Sequence, residues 1–342
     1  MSTQTHMRRE ILEIPNAVET LLGAGDGAIR EAAAALRDKD PEFIISAARG
    51  SSDHAALYFK YASELVAGIP VASIGPSIAS IYDRKLKLAR AASLAISQSG
   101  KCPDIVRLAE MAASQGALSL SLTNTTDRDL AQVSEHTLPL YAGIETSVAA
   151  TKTFVNSVVS AIWLLAEWQQ DADLLEAIHS LPKALEEATK IDWGTLAQEI
   201  ADNHSLFCLG RGPALAISHE AALKFKETCQ LHAESHSSAE VLHGPVSIVD
   251  RGFSVLAFAA HDAAESSVVA VADALVAKGA RVFITSDRAD AAQILPVART
   301  GHPLTDPISI IVSFYAMVEQ VARARGMNPD APPHLKKVTE TI

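Results

Sequence analysis

Three ionisable residues recur at helical spacing in the segment Glu220–Glu227 (EAALKFKE). Glu220, Lys224 and Glu227 stand at positions i, i+4 and i+7, which places them on one face of a predicted helix. Exposed Glu–Lys pairs at this spacing are common and stabilise a helix only weakly. Taken alone, the segment is therefore as compatible with a solvated helix face as with a group of catalytic residues.

A second concentration of ionisable residues follows in the segment Leu231–Pro245 (LHAESHSSAEVLHGP), which is predicted to be loop-like. Its ionisable members are His232, Glu234, His236, Glu240 and His243. Moving a proton between C2 and C1 of a sugar requires a carboxylate, and opening the sugar ring requires a histidine-type group, so the two segments together offer both. A metal site is the alternative, because two of the histidines lie at i and i+4, but they lack a clear third ligand. Neither a metal nor an organic cofactor is expected.

A turn in the first half has the composition of a phosphate-binding site. Ser97–Gly100 (SQSG) follows the predicted strand Ala91–Ile96, and Pro103 with Asp104 marks the start of a helix. Hydroxyls and N–H groups at a helix N-terminus bind phosphate without lysines. Arg49–Ser52 (RGSS) follows the preceding strand and offers two more hydroxyls. The alternative is that Ser and Gly serve only as turn and cap residues.

The elements that would position these residues occur twice along the chain. Three strand-plus-turn segments of the first half match segments about 162 residues further on, and the matched pairs are Phe43–Ser51 with Ser205–Pro213, Leu94–Gly100 with Leu256–Asp262, and Gly116–Asp127 with Gly279–Asp290. Ala259–Asp262 (AAHD) takes the place of SQSG in the second copy. Only the first copy is therefore predicted to bind phosphate.

Each half alternates short apolar strands with Ala-rich helical segments, which predicts an α/β fold with parallel sheets. We expect two tandem domains, each a flavodoxin-like three-layer αβα sandwich whose ligand site lies beyond the carboxyl ends of the strands. The predicted parts are a helical lead (residues 1–36), a phosphate-binding domain (37–173), a linker (174–194), a domain with the catalytic helix and histidine loop (195–326), and a tail closing the active site (327–342).

Composition excludes several classes of protein. The chain of 342 residues has a formal net charge of −11 and a pI near 5.5, which argues against nucleic-acid binding. Three cysteines without paired spacing, and a first segment without the apolar stretch of a signal peptide, predict a cytoplasmic protein. Apolar runs such as Ser157–Ala166 are too short to span a membrane.

At these residues the chain resembles the tandem SIS-domain (sugar isomerase) phosphosugar isomerases, in particular the isomerase half of glucosamine-6-phosphate synthase and the glutaminase-free glucosamine-6-phosphate deaminases. The matching segments are His6–Asn16, Arg49–Ser52, Ser97–Gly100, Gly143–Phe154 (GIETSVAATKTF), Glu220–Glu227, His232–Glu234, Glu240–Pro245 (EVLHGP) and His334–Lys337 (HLKK). These segments stand in the family's order, and the resemblance covers nearly the whole chain.

The resemblance implies the following roles. Phosphate ligands fall on Ser52, Ser97, Gln98 and Ser99, with Ser51 and the backbone of Val148 and Ala149 facing the sugar. Glu227 carries the proton between C1 and C2, and His243, supplied by the second subunit of a homodimer, opens the ring. Glu220, Lys224 and Lys337 line the sugar, and Lys337 is similar to the lysine that forms an imine with an open-chain ketose. Cys102 stands where the family has Thr or Ser, and a thiol is a poor hydrogen-bond donor.

The resemblance also bears on the reaction. Residue 2 is Ser2 rather than a nucleophilic cysteine, and the isomerase-like sequence starts within ten residues of the beginning, so no glutaminase is expected. The expected reaction is conversion of glucosamine 6-phosphate to fructose 6-phosphate and ammonia. The alternatives are a deglycase of fructosamine-6-phosphate type and a ketose–aldose isomerase for a galactosamine-derived sugar. A non-catalytic phosphosugar sensor is disfavoured, because such regulators carry a DNA-binding segment ahead of one SIS domain.

Overall fold

The structure is a computed structural model that describes residues 4–338. The chain divides into two compact units, each built on one five-stranded sheet. The first-sheet unit comprises residues 16–145, 152–179 and 336–338, and the second-sheet unit comprises residues 4–15, 146–151 and 180–335. Ser2 and the last four residues of the predicted tail lie outside the described residues.

The first sheet is made of short, mostly buried strands. They are Phe43–Ala47 (β1), Val71–Ser73 (β2), Ala91–Ile96 (β3), Leu118–Thr123 (β4) and His136–Pro139 (β5). All pairings are parallel, in the order β2-β1-β3-β4-β5. Every residue of β3 and β4 is buried, as expected for central strands of a parallel sheet covered on both faces.

The described chain has nine helices between residues 4 and 190. They are His6–Leu12 (α1), Ile14–Ala24 (α2), Asp26–Lys39 (α3), Ser51–Val66 (α4), Ser77–Ser80 (α5), Pro103–Ser114 (α6), Asp129–Val133 (α7), Lys152–Gln169 (α8) and Ala172–Ala188 (α9). The first three precede the first strand. Helix α6 begins with Pro103 and has Asp104 in its first turn, which is the start that its sequence predicts.

The second sheet repeats the first. Its strands are Ser205–Gly210 (β6), His232–Ser237 (β7), Ser254–Ala257 (β8), Arg281–Ile284 (β9) and Gln293–Ile294 (β10), and its helices are Gly194–Ala201 (α10), Pro213–Cys229 (α11), Glu265–Ala277 (α12) and Asp306–Ala324 (α13). The parallel order is β7-β6-β8-β9-β10, the same as in the first sheet with five added to each number. The predicted fold, two α/β domains with parallel, helix-flanked sheets, is confirmed.

This strand order determines where ligands can bind. In a doubly wound sheet of order 2-1-3-4-5, ligands bind beyond the carboxyl ends of the first and third strands, where the strand order reverses. In the first sheet that position lies between the turns that follow β1 and β3. In the second sheet it lies between the turns that follow β6 and β8.

One local prediction is wrong. The segment Leu231–Pro245, expected to be loop-like, begins with the edge strand β7 and continues as two short 3-10 turns, Glu240–His243 and Pro245–Ile248. β7 pairs with β6 at the edge of the sheet, where side chains are partly exposed, and this position tolerates the polar sequence HAESHS. Because HAESHS contains few apolar residues, its sequence did not predict a strand.

The segment expected to contain the linker is largely helical. Helix α9 runs through Pro182 to Ala188, so much of the predicted linker 174–194 is a regular element. The domain boundaries derived from the sequence stay predictions. Within residues 4–338, helices of sufficient length and apolarity to cross a bilayer are absent.

Candidate active site

The turn after β3 brings the predicted phosphate ligands to the start of a helix. Ser97, Gln98 and Ser99 follow β3 directly. Gly100 then turns the chain with a φ of +62°, and Cys102 is the N-cap residue of α6. The first N–H groups of a helix lack intrahelical acceptors and carry partial positive charge, so an anion is stabilised there.

An ion pair joins this turn to the turn after β1. The Arg49 guanidinium donates to the Asp104 carboxylate at 2.7 and 3.2 Å. Asp104 is fully buried in the first turn of α6, whereas about half of the Arg49 side chain is exposed. Ser51 and Ser52 begin α4 immediately after Arg49 and the positive-φ residue Gly50. The two hydroxyl-bearing turns therefore lie at neighbouring helix starts that a charged hydrogen bond holds together.

The thiol of Cys102 is directed toward protein rather than toward a ligand. Its Sγ donates to Asp104 Oδ1 at 3.0 Å. The hydroxyl that the family resemblance predicts at this position is thus replaced by a thiol whose hydrogen bond goes to the buried carboxylate of Asp104.

The helix α11 holds Glu220, Lys224 and Glu227 as a buried cluster, not as a solvated face. Lys224 Nζ lies 3.2 Å from Glu220 Oε1 and 2.5 Å from Glu227 Oε2. The side chains of Lys224 and Glu220 are fully buried, and one fifth of the Glu227 side chain is exposed. Glu227 is the member of the cluster that a ligand can reach.

Lys224 is protonated in this setting. Burial by itself lowers the pKa of Lys224, but the charges of Glu220 and Glu227, with the hydrogen bonds to them, outweigh burial and raise it. An ammonium group in this position is a hydrogen-bond donor that holds both carboxylates, and it is not a base.

Tyr315 completes the cluster, although no sequence motif points to it. Its hydroxyl, in the middle of the buried helix α13, donates to Glu220 Oε1 at 3.1 Å. The contact spans 95 residues, so spacing along the chain gives no sign of it.

The predicted histidines lie on and after the edge strand β7. His232 and His236 share one face of the strand with Glu234, at 3.8 and 3.4 Å from its carboxylate. Among the described residues, these three do not form a three-ligand metal cluster. His243 ends the first 3-10 turn, before Gly244 (φ +142°), and is exposed.

Lys337 is tied to a buried carboxylate rather than standing as a surface lysine. Its ammonium lies 2.7 Å from Glu145 Oε2 within the first-sheet unit. Glu145 also accepts hydrogen bonds from the backbone N–H of Thr153 at 3.1 Å and from the Thr153 hydroxyl at 2.7 Å. Glu145 lies in the segment Gly143–Phe154, whose sequence gives no sign of this contact.

Val148 and Ala149 lie in a short segment of the second-sheet unit. The Val148 N–H donates to the Asp330 carbonyl at 3.2 Å, and the Ala149 carbonyl accepts from the Ser147 hydroxyl at 3.2 Å. Ser147 in turn donates to the buried carboxylate of Glu10 in α1, a second residue without a sequence signal. The backbone that the family resemblance directs at the sugar is therefore held by protein contacts here.

The architecture and the motifs agree with one family. The SIS domain profile matches residues 36–167 and 199–323. The chain belongs to the SIS-domain family. Over 97% of its length this SIS-domain chain is 30% identical to the glutamine–fructose-6-phosphate aminotransferase (isomerizing) of Methanothermobacter thermautotrophicus, and it spans 56% of that relative's length.

Solved structures with the same fold include a protein from Silicibacter pomeroyi, provisionally described as a phosphosugar isomerase. It is 56% identical, has a TM-score of 0.93, and aligns over 96% of this chain and 100% of its own. The glucosamine-6-phosphate deaminase of Thermotoga maritima shares the fold at 19% identity and a TM-score of 0.79, aligned over 98% of this chain and 100% of its own.

Proposed function

We propose that this SIS-domain chain is a phosphosugar isomerase acting on hexosamine or hexose 6-phosphates, and that it converts glucosamine 6-phosphate to fructose 6-phosphate and ammonia. The observation that carries the proposal is the α11 cluster, in which a buried ammonium holds the partly exposed carboxylate of Glu227 at 2.5 Å. A carboxylate fixed in this way suits proton transfer between adjacent carbons.

The phosphate is assigned to the turns after β1 and β3. Ser52, Ser97, Gln98 and Ser99 would supply hydroxyl, amide and N–H donors, and the α4 and α6 N-termini would supply the positive ends of two helices. Arg49 does not need to contact the phosphate, because its charge neutralises Asp104 beneath the turn. Phosphate binding would thereby avoid repulsion from a buried carboxylate.

The proton transfer is assigned to Glu227. In the open-chain amino aldehyde it would remove the C2 proton and return a proton to C1. The amino group loses one proton and the C1 oxygen gains one, which leaves an imine at C2 and an alcohol at C1. Addition of water to that imine then expels ammonia and gives the ketose. Lys224 keeps the Glu227 carboxylate in place through its charged hydrogen bond and takes no proton itself.

Ring opening is assigned to His243 of a second copy of the chain in a homodimer. The exposed apolar side chains of Leu242 and Ile248, about half accessible, flank this histidine on the loop after β7. A second subunit seated there would cover them, which favours an interface at this loop. Lys337 is assigned to the sugar carbonyl, where it would first have to leave Glu145.

The test is production of ammonia and fructose 6-phosphate from glucosamine 6-phosphate by the purified full chain, without glutamine and with a chelator present. Release of both products in equal amounts supports the proposal. Replacement of Glu227 by Gln should preserve fructose 6-phosphate binding and reduce turnover by roughly 10²- to 10⁴-fold.

Two outcomes would redirect the assignment. Interconversion of an aldose and a ketose phosphate without ammonia would make the protein a simple isomerase, and cleavage of a fructosamine-type 6-phosphate adduct would make it a deglycase. Near-normal turnover in the Glu227→Gln variant would remove Glu227 from the mechanism.

A further inference from the structure

Three side chains of types that bind metal ions lie at the carboxyl edge of the second sheet. His261 follows β8, Glu265 begins α12, and Asp287 follows β9. One ligand atom from each lies within 4.8 Å of the other two. This edge corresponds to the phosphate turn of the first sheet, but here the serines are replaced by Ala259–Asp262.

Glu265 is held as an oriented ligand. Its side chain is 4% exposed, and its Oε1 accepts from the Ser286 hydroxyl at 2.8 Å. Its Oε2 pairs with Arg288 at 3.2 Å, on the oxygen other than the one that faces His261. Arg288 therefore neutralises this buried carboxylate without occupying Oε1. A hydroxyl that orients a ligating carboxylate is typical of the outer shell of a metal site.

The separation of the first two groups fits shared coordination better than a direct hydrogen bond. His261 Nε2 and Glu265 Oε1 are 3.6 Å apart. Ligand atoms at about 2.0–2.1 Å from a tetrahedral Zn²⁺ lie roughly 3.3–3.4 Å from each other. The backbone N–H of His261 donates to the buried Asp306 carboxylate at 3.0 Å, and this hydrogen bond fixes the backbone position of His261.

We propose that His261, Glu265 and Asp287 form a binding site for a divalent transition-metal ion of the Zn²⁺ class. An imidazole with two carboxylates suits such ions, whereas Mg²⁺ prefers oxygen ligands and water. Three protein ligands leave a fourth position for water or an anion. The ion would join the first turn of α12 to the segment after β9, and it plays no part in the reaction proposed above.

The experiment is calorimetric titration of the full chain with Zn²⁺ after chelator treatment and dialysis. A parallel titration with Co²⁺ uses its visible absorption to report tetrahedral coordination. The test variants are His261→Ala and Asp287→Asn, because both side chains are exposed and their loss should leave the fold intact. The matched controls are His232→Ala, on the other histidine cluster, and Asp290→Asn, an exposed aspartate three residues beyond Asp287.

We expect one Zn²⁺ per chain in the wild type, with affinity lowered about tenfold or more in each test variant and unchanged in each control. Loss of an outer-shell partner alone costs roughly 10- to 100-fold, so loss of a direct ligand should cost at least as much. Absence of stoichiometric binding by the wild type, unchanged affinity in either test variant, or equal weakening in His232→Ala would overturn the proposal. Since the readout is metal binding, a failed sugar assay leaves this result unaffected.

Discussion

The ammonium of Lys224 lies 2.5 Å from the carboxylate of Glu227, and it lies on the same buried face of α11 as Glu220. Taking a lysine out of water is costly unless opposite charges and hydrogen bonds compensate. Glu220 supplies the compensation from within the core, and Glu227 supplies it at the accessible end. Glu220 is therefore a buried structural carboxylate, whereas the Glu227 carboxylate is accessible to a ligand.

We expect replacement of Lys224 by Met to destabilise the fold strongly. The change leaves Glu220 buried without its counter-charge, and removal of one partner of a buried ion pair costs about 3–5 kcal/mol. Urea denaturation of the wild type and the variant measures the loss. The double variant Glu220→Gln/Lys224→Met should recover part of it, because no uncompensated buried charge remains at Glu220. Equal losses in the single and double variants would contradict this interpretation.

The same cluster predicts a loss of stability at alkaline pH. Burial lowers the pKa of Lys224, but the two glutamates raise it overall above its ordinary value of about 10.5. The folded state therefore binds this proton more tightly than the unfolded state, and the stabilisation is complete below about pH 10.5 and lost as the pH rises toward the higher folded-state pKa. The free energy of unfolding of the wild type should fall in that range more steeply than that of the Lys224→Met variant. Parallel curves would show that Lys224 does not titrate with folding.

The sequence predicted the duplicated framework correctly because the central strands carry apolar runs that end in similar turns. The matched strands are β1, β3 and β4 in the first half and β6, β8 and β9 in the second half. The edge strand β7 was missed because its exposed position permits the polar sequence HAESHS. Hydrophobic pattern thus reports the buried centre of a parallel sheet better than its edge.

The site was only partly predictable for a different reason. The spacing of Glu220, Lys224 and Glu227 is identical on an exposed and on a buried helix face, so the sequence could not determine their burial. The contact between Glu145 and Lys337 spans 192 residues, and no local pattern encodes it. Residue types identify candidate chemistry, whereas partners distant in sequence decide whether a charge is compensated.

The turn after β3 contains two side chains, Ser97 and Cys102, whose replacement should have different effects. Ser97→Ala removes a hydroxyl assigned to the phosphate and should weaken fructose 6-phosphate binding by about 0.5–1.5 kcal/mol, or roughly two- to tenfold. Cys102→Ala should change the affinity by less than about 0.5 kcal/mol, because the thiol donates to Asp104. Titration calorimetry compares the two. Stronger weakening by Cys102→Ala than by Ser97→Ala would show that the thiol, not the serine, serves the ligand.

Lys337 and its neighbour Lys336 offer a matched pair for testing the tail. Lys337→Met should reduce turnover of glucosamine 6-phosphate at least tenfold, on the order of the loss of one charged hydrogen bond to a reacting group. Lys336→Met should leave turnover unchanged, because Lys336 is exposed. Thermal unfolding of both variants separates catalysis from stability. If the loss of thermal stability fully accounts for the loss of turnover in Lys337→Met, the residue only anchors Glu145.

The assignment of His243 to a second subunit can be tested by mixing two inactive variants. In a homodimer with shared sites, a mixed dimer of Glu227→Gln and His243→Ala contains one site with both residues intact and one site with neither. Unfolding the two variants together and refolding them should therefore restore about a quarter of wild-type activity, since half of the dimers are mixed and each has one intact site. Each variant refolded alone is the control. Equal inactivity before and after mixing, with dimers confirmed by analytical ultracentrifugation, would show that His243 acts within its own chain.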